Sequence, residues 1–330
     1  MIRSRITSTG RYVPDNVVTN FDLMKRVPTT DEWIRERTGI EQRYFVNQEI
    51  GASDLGYEAA KIALARAGLK ATDLDFIIFA TLSPDYMFPG SGCILQKLLG
   101  VPGIGALDVR TQCTGFVYSL AVADAFIRCG TYRRVLVVGA EVHSSGLEFN
   151  ERGRHIAVLF GDGAGAAILE ACDDGRGVLS THLHADGRHA QELWTENPGS
   201  RRIPRMYDGI LNDGSCFPQM NGREVFKHAV TKFPQVIHEA LAANGLTLKD
   251  ISLLIPHQAN LRITEAVAQR LELPPEKVVS NIQRYGNTTA ASIPIALDEA
   301  LEQGRIKNGD LVILASFGSG FTWASAAIRW

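Results

Sequence analysis

The chain has 330 residues, of which 45% are hydrophobic and 21% are charged, and its formal net charge at pH 7 is −2. This is the balance of an ordinary soluble globular protein, and the length fits two domains or one large two-part fold. The near-neutral charge gives no whole-chain signal for nucleic-acid binding. Because no uninterrupted apolar run reaches the roughly 20 residues that cross a bilayer, we expect no membrane segment.

The cysteines predict neither a metal centre nor a disulfide framework. There are five, widely spaced, and no two form a C-x-x-C pair: Cys93, Cys113, Cys129, Cys172 and Cys216. This pattern excludes the usual zinc and redox motifs and fits a reducing compartment. The first residues lack the apolar core of a secretory signal. We therefore expect a cytoplasmic protein without a metal.

Strand-like and helix-like segments alternate in the first half of the chain. Helices are predicted at residues 52–67, 93–99 and 114–129, each followed by a glycine, and strands at 74–81, 104–109 and 134–139. Residues 157–160 and 164–169 flank Gly161-Asp162-Gly163, which predicts a tight turn between strands. The G-x-G-x-x-G spacing of a dinucleotide site is absent there.

The second half repeats this order of elements. Helices are predicted at residues 224–243, 261–271 and 290–303, and strands at 251–255, 278–281, 311–315 and 322–329. Two similar series predict an α/β fold made of two related halves, residues 1–172 and 173–330. Residues 185–221 are rich in Pro, Gly, Asn and Arg and lack periodicity, which is typical of a functional loop or a binding insertion.

Cys113 lies between the predicted strand 104–109 and the predicted helix 114–129. A thiol at the start of a helix faces unpaired backbone N–H groups and the positive end of the helix dipole. We therefore expect its pKa to be lowered and the thiolate to act as a nucleophile. A structural core cysteine is the alternative, because free cysteine is among the most buried residue types.

Two further predicted strands are followed by polar residues, His257 after 251–255 and Asn287 after 278–281. Loops at the carboxyl ends of strands converge in open α/β sheets, so we expect Cys113, His257 and Asn287 to share one pocket. Singly, His257 could be structural and Asn287 a turn residue. A Cys–His–Asn set is used in papain-like hydrolysis, and also in carbon–carbon bond formation, where His and Asn donate hydrogen bonds to an enolate. The papain pattern around the cysteine is absent.

Several longer segments resemble β-ketoacyl-acyl-carrier-protein synthase III, a condensing enzyme of the thiolase superfamily. They are residues 30–34, 37–40, 161–166, 257–263, 285–294 and 317–323. The resemblance implies a thiolase-like five-layered αβαβα fold of two duplicated halves and a homodimer. It also implies that Cys113 accepts an acyl group from acyl-CoA, a substrate rather than a cofactor. His257 and Asn287 would then stabilise the enolate formed as malonyl-acyl-carrier protein loses carbon dioxide, in the step that initiates fatty acid synthesis.

The same resemblance assigns roles to individual residues outside this triad. The backbone N–H groups of Cys113 and Ser319 would form an oxyanion hole. Contacts with CoA are implied for Trp33, Arg37, Thr38, Arg154, Gly222, Phe226, Ala259, Asn260 and Phe317. Phe88 would reach across the dimer into the partner's acyl pocket. Arg262, Lys227 and Arg223 would form a basic rim for the acidic carrier protein, with a simple solvated surface as the alternative.

The chain departs from the family pattern in ways that leave the substrate open. Arg110-Thr111-Gln112 precedes the cysteine where small alanines are commoner, Ser319 lies within the C-terminal glycine triplet, and Arg223 stands where Asn is frequent. Residues 195–218 are longer than in compact members. One alternative is therefore an acyltransferase of specialised metabolism or a head-to-head acyl-CoA condensing enzyme. Another is a catalytically silent acyl-CoA-binding homologue.

Overall fold

The first of two large sheets belongs to the N-terminal half of the chain. The computed structural model describes residues 2–330. Across this sheet the strands are ordered β1 (Arg3–Tyr12), β7 (Gly163–Cys172), β6 (Arg134–Glu141), β4 (Phe76–Ala80) and β5 (Gly105–Val109). Strands β4, β5 and β6 are parallel, whereas β7 runs antiparallel to both β1 and β6.

The second sheet has the corresponding order in the C-terminal half. Strands β8 (Gly177–Ala185), β13 (Thr322–Arg329), β12 (Leu311–Gly318) and β11 (Leu253–Pro256) take the places of β1, β7, β6 and β4. At the fifth place Val278 forms only an isolated parallel bridge with Leu254. The predicted strand at 278–281 is therefore wrong. The Gln258 side chain donates to the Val279 carbonyl and accepts from the Asn281 N–H, so these backbone groups are not available to a neighbouring strand and the ladder ends after one bridge.

Helices cover both sheets and fill the space between them. Helices α3 (Ala52–Ala67) and α4 (Ser91–Leu99) pack on the outer face of the first sheet, and α8 (Gly222–Ala243) and α9 (Leu261–Arg270) on the outer face of the second. Helices α5 (Gly115–Arg128) and α11 (Ser292–Glu302) lie between the sheets. The predicted five-layered αβαβα arrangement of two corresponding halves is confirmed.

The apolar sequence of α5 follows from its central position. Phe116, Val117, Leu120 and Ile127 are all buried, in a core that includes residues from both sheets. A helix that is apolar on most sides is one that is enclosed on most sides. This packing fixes the start of α5, and with it the turn that carries Cys113, against both halves of the fold.

Nine shorter strands and α-helices complete the fold of residues 2–330. They are β2 (Val17–Thr19), α1 (Asn20–Leu23), α2 (Asp31–Thr38), β3 (Gln42–Tyr44), α6 (Arg154–Ala157), β9 (Leu193–Trp194), α7 (Ile210–Asp213), β10 (Gln219–Met220) and α10 (Ile282–Tyr285). Strands β9 and β10 pair within the predicted insertion, which is thus partly ordered. The glycine turn at 161–163 leads into β7 as predicted. Before it, however, stands α6 rather than a strand, and Phe160 forms a single bridge with Asn287.

Within residues 2–330, no helix combines the length and the apolar composition needed to cross a bilayer.

Candidate active site

The structure places Cys113, His257 and Asn287 around one cavity of about 400 Å³. Each comes from a different connection, as expected for loops at the carboxyl ends of strands. Eight further residues with predicted substrate contacts line the same cavity: Trp33, Arg37, Thr38, Gly222, Phe226, Ala259, Asn260 and Phe317. Apolar side chains complete the wall, with Leu193 and Met220 from the paired strands β9 and β10, and Val225, Ala229 and Phe233 from α8. The insertion therefore contributes one wall of the cavity.

The other predicted site residues lie outside this lining. The guanidinium carbon of Arg154 is 4.9 Å from the centroid of the Trp33 ring, at the cavity mouth. Ser319 follows Gly318, which does line the cavity. Phe88 is 85% exposed and does not line the cavity of its own chain. Its predicted role therefore requires a second chain.

Cys113 lies in a tight turn, Gln112–Thr114, immediately before α5. The residue before it, Gln112, has a φ of +48°, in the left-handed region that side-chain-bearing residues rarely adopt. Ser316 on β12 donates a hydrogen bond to the Cys113 carbonyl at 2.6 Å. Gly318 passes so close that an added Cβ would be 2.6 Å from the Cys113 Cβ and 3.0 Å from its sulfur. The turn is thus held in place from the C-terminal half.

The expectation that the pKa of Cys113 is lowered is wrong. Burial raises it to about 12, and the negative charge of Glu141 acts in the same direction. The backbone N–H groups of Cys113 and Ser319 and the Thr289 hydroxyl oppose this rise without overcoming it. Desolvation of the thiolate in a closed site outweighs the stabilisation provided by the helix start. At neutral pH Cys113 is therefore a thiol in this structure, and a reaction at the sulfur must remove its proton.

His257 follows β11 and is buried, and its backbone N–H donates to the Ala315 carbonyl at 2.8 Å. Burial, assisted by the neighbouring His143, lowers the pKa of His257 to about 3, so the ring is neutral at pH 7. Its Nδ1 lies 2.6 Å from the Ser292 hydroxyl, whose oxygen also accepts the Gln258 N–H at 3.4 Å. We therefore infer that the Ser292 hydroxyl donates its hydrogen bond to Nδ1, and that the imidazole carries its own hydrogen on Nε2. In the described chain Nε2 has no hydrogen-bond partner, so it is a donor available to a ligand.

Asn287 is oriented by its own turn. Gly286 precedes it with a φ of +66°, which a glycine adopts without strain. The Asn287 N–H donates to Leu159 at 2.8 Å, and its carbonyl accepts from Gly161 at 3.1 Å. Its side-chain oxygen accepts the Thr289 N–H at 2.9 Å. The amide oxygen is thereby occupied, and the NH₂ group remains for a ligand in the cavity.

Sequence reasoning missed a buried polar cluster behind the cysteine. Glu141, at the end of β6, accepts hydrogen bonds from the Thr81 and Ser83 hydroxyls at 3.0 and 2.6 Å. Burial raises the pKa of Glu141 to about 7 in spite of these bonds. His143 is 2.8 Å from the Thr289 hydroxyl. The available signal was the alternation Glu-Val-His at the end of a buried strand, where His143 follows β6 much as His257 follows β11.

The mouth of the cavity combines an aromatic ring with positive charges. The centroid of the Trp33 ring lies 5.6 Å from the centroid of the His155 ring and 5.7 Å from the guanidinium carbon of Arg37. Asn260 donates to the Arg37 carbonyl at 2.9 Å, which ties the start of α9 to α2. A flat aromatic face beside guanidinium groups suits a planar, negatively charged ligand.

The predicted basic rim is exposed beside this mouth. The guanidinium carbon of Arg262 lies 5.9 Å from the centroid of the Phe226 ring, which lines the cavity. Arg223 and Lys227 are exposed on the first turns of α8, and Lys227 pairs with Glu224 at 3.2 Å. All three can contact a partner at the entrance, although the Lys227 charge is partly offset by its neighbour.

The described part of the chain contains no group of three or more His, Cys, Asp or Glu placed to hold a metal ion.

Comparisons with known proteins identify relatives along the whole chain. The profile described as 3-Oxoacyl-[acyl-carrier-protein (ACP)] synthase III matches residues 107–187, and that of its C-terminal part matches residues 241–330. Beta-ketoacyl-[acyl-carrier-protein] synthase III of Xanthomonas campestris is 49% identical over 329 residues, covering 100% of this chain and 99% of the relative.

Solved structures agree with this result. The crystal structure of 3-oxoacyl-[acyl-carrier-protein] synthase III from Aquifex aeolicus has a TM-score of 0.91 at 42% identity, covering 99% of this chain and 100% of that one. The priming β-ketosynthase of the R1128 polyketide pathway has a TM-score of 0.90 at 30% identity, covering 99% and 96%.

Proposed function

The chain belongs to the β-ketoacyl-acyl-carrier-protein synthase III family of acyltransferases, and from this premise we propose how its own residues carry out the condensation that initiates fatty acid synthesis. The observation that carries the proposal is the convergence of Cys113, His257 and Asn287 on one cavity with a Trp33-lined mouth. A thiol can hold an acyl group there, and two neutral donors can stabilise an enolate.

In the first half-reaction we assign Cys113 as the acyl acceptor. Its sulfur attacks the thioester carbonyl of acyl-CoA, the bond to the CoA sulfur breaks, and the thiol proton passes to the departing CoA thiolate. The backbone N–H groups of Cys113 and Ser319 both oppose the rise in the pKa of the thiol, which supports their proposed place in the oxyanion hole. Such donors act where charge develops in the transition state.

In the second half-reaction His257 and Asn287 act on the malonyl thioester. Loss of carbon dioxide leaves an enolate whose oxygen accepts hydrogen bonds from Nε2–H of His257 and the NH₂ group of Asn287. The enolate carbon then attacks the acyl-Cys113 carbonyl, a carbon–carbon bond forms, and the thiolate leaves. Because His257 is neutral, with its pKa lowered to about 3, it serves as a hydrogen-bond donor rather than as a base.

The two thioesters would enter through the same mouth. We propose that Trp33, Arg37 and Arg154 bind the nucleotide of CoA by stacking and charge, with Thr38, Gly222, Phe226, Ala259, Asn260 and Phe317 along the arm. Arg223, Lys227 and Arg262 would meet malonyl-acyl-carrier protein at the rim. Charges at a rim mainly affect the association rate and its salt dependence.

A homodimer is supported by two exposed apolar features. Strand β5 lies at the edge of the first sheet, and its Leu107 is 38% exposed. The loop containing Tyr86, Met87 and Phe88 projects three large apolar side chains into solvent. Unpaired strand edges and contiguous apolar side chains favour association. We propose that a second copy covers both, and that Phe88 completes the acyl pocket of its partner.

Acyl-CoA is consumed as a substrate, and we expect the reaction to need neither a metal nor an organic cofactor. We expect the protein in the cytoplasm, where acyl-CoA and the carrier protein are available. The duplicated halves would divide between residues 172 and 173, in the connection that joins β7 to β8.

The test offers each candidate starter and acceptor separately. Acyl-CoA starters from acetyl to long-chain are assayed for labelling of Cys113, and malonyl-acyl-carrier protein, malonyl-CoA and a second acyl-CoA are compared as acceptors. Condensation with malonyl-acyl-carrier protein above the other two supports the proposal. Preference for a second acyl-CoA would instead indicate the head-to-head reaction.

A further inference from the structure

Two strained turns meet beside the sulfur of Cys113. The turn Gln112–Thr114 packs against the turn Thr289–Ala291 from the other half of the chain. Gln112 and Thr289 both have a φ of +48° although neither is glycine. Such backbone costs free energy and persists where the surroundings impose it, commonly at functional sites. The strain therefore directs attention to what Thr289 does there.

Thr289 is close to two parts of the site, the Asn287 side chain and the turn that carries Cys113. Its backbone N–H holds the Asn287 amide oxygen at 2.9 Å. Its hydroxyl lies 2.8 Å from Nε2 of His143, and it also opposes the rise in the pKa of the Cys113 thiol. A hydroxyl has a single proton to donate but can accept further hydrogen bonds. The direction of the His143 contact therefore decides whether the sulfur receives a donor.

His143 cannot turn away from this contact. Its ring is buried and stacks on Phe160 with the centroids 4.4 Å apart, and its backbone N–H donates to Asp162 at 2.7 Å. Burial lowers the pKa of His143 to about 3, so the ring is neutral and one ring nitrogen carries the hydrogen. If that nitrogen is Nε2, His143 donates to Thr289, and the Thr289 proton is free to point at the sulfur.

We propose that His143 is a positioning residue for the nucleophile, donating from Nε2 to the Thr289 hydroxyl so that this hydroxyl donates to the Cys113 sulfur. The inference rests on the proposed role of Cys113 as acyl acceptor. A hydrogen bond to the ionised sulfur favours thiolate over thiol and so speeds attack on the thioester without contacting CoA. Two other titratable groups face this chain of hydrogen bonds, Glu141 toward the sulfur and His257 toward His143.

The test measures the rate at which iodoacetamide alkylates Cys113, identified by peptide mass spectrometry, from about pH 7 to about pH 9.5. Below the thiol pKa this rate rises about tenfold per pH unit because only the thiolate reacts. Thr289→Val should lower the rate about tenfold at every pH, because it removes one hydrogen bond to a charged group. His143→Leu keeps the Thr289 hydroxyl but releases its orientation, and it should lower the rate by about fivefold or more. His143→Gln, whose amide can donate in place of Nε2, should stay within about threefold of wild type.

Two controls separate positioning from damage to the fold. His238→Leu, an exposed residue of α8, should leave the alkylation rate unchanged. His143→Leu should retain decarboxylation of malonyl-acyl-carrier protein, because the Thr289 backbone still holds Asn287. An unchanged alkylation rate in His143→Leu, or a loss in His143→Gln as large as in His143→Leu, overturns the inference. Condensation that survives Cys113→Ala would instead overturn the proposed function on which it rests.

Discussion

Replacing Ser292 by alanine removes the group that fixes the hydrogen of His257 on Nε2. The Ser292 hydroxyl lies 2.6 Å from Nδ1, and both residues are buried. Loss of a buried hydrogen bond costs about 1–3 kcal/mol, and loss of a whole oxyanion donor about 3–4 kcal/mol. In Ser292→Ala the Nε2 atom stays in place, and only the preference for the tautomer with hydrogen on Nε2 is lost. We therefore expect the smaller cost, about 1–3 kcal/mol. This corresponds to a loss of decarboxylation of about 5- to 140-fold, at about 1.4 kcal/mol per tenfold.

The assay follows the two half-reactions separately in Ser292→Ala. Release of carbon dioxide from malonyl-acyl-carrier protein reports on His257, and acyl labelling of Cys113 reports on the nucleophile. Acylation should change less than about threefold, since His257 contributes to the other step. Ser325→Ala is the matched control, a buried serine that donates to Val236 at 2.8 Å outside the cavity. Equal losses in both half-reactions, or no loss in either, would refute the tautomer assignment.

Three further outcomes follow from the geometry. Gly318→Ala should lower the free energy of unfolding by about 1–3 kcal/mol and slow acylation, because the added Cβ would meet Cys113. Gly187→Ala is the control, since the space around Gly187 is open, and it should change the free energy of unfolding in denaturant by less than about 0.5 kcal/mol. Trp33→Ala should raise the KM for acyl-CoA about tenfold or more with kcat nearly unchanged, and a fall in kcat alone would contradict its binding role. Burial raises the pKa of Glu141 from 4.5 to about 7, so the folded chain retains a proton that the unfolded chain releases. Relative to Glu141→Gln, wild-type stability should therefore fall as pH rises from about 4.5 to 7, and a rise would contradict the assignment.

The fold could be predicted because its regular elements carry clear patterns. Helix α3 has helical apolar spacing and a terminal Gly68, and its predicted and observed bounds coincide. The strand predicted at 278–281 failed because the Gln258 side chain competes for its backbone, a long-range contact that no local pattern reports. The short helix α6 was missed for a local reason, since the apolar residues at 157–160 fit a strand equally well.

The site could be predicted where polar residues follow buried strands, and not where burial changes their chemistry. Cys113, His257 and Asn287 stood out by position and by resemblance. The pKa of Cys113 was given the wrong direction because the sequence indicates the helix start but not the depth of the cavity. His143 and Thr289 were missed because their significance lies in a contact between residues 146 positions apart.

The most direct test of the proposed mechanism is acyl labelling of the intact protein by acetyl-CoA, with mass spectrometry of the Cys113 peptide. We expect an acyl group on that cysteine in wild type and also in His257→Ala and Asn287→Ala, both of which should then fail to release carbon dioxide from malonyl-acyl-carrier protein. An acyl group found on another residue, or none in a wild type that still condenses, would contradict it.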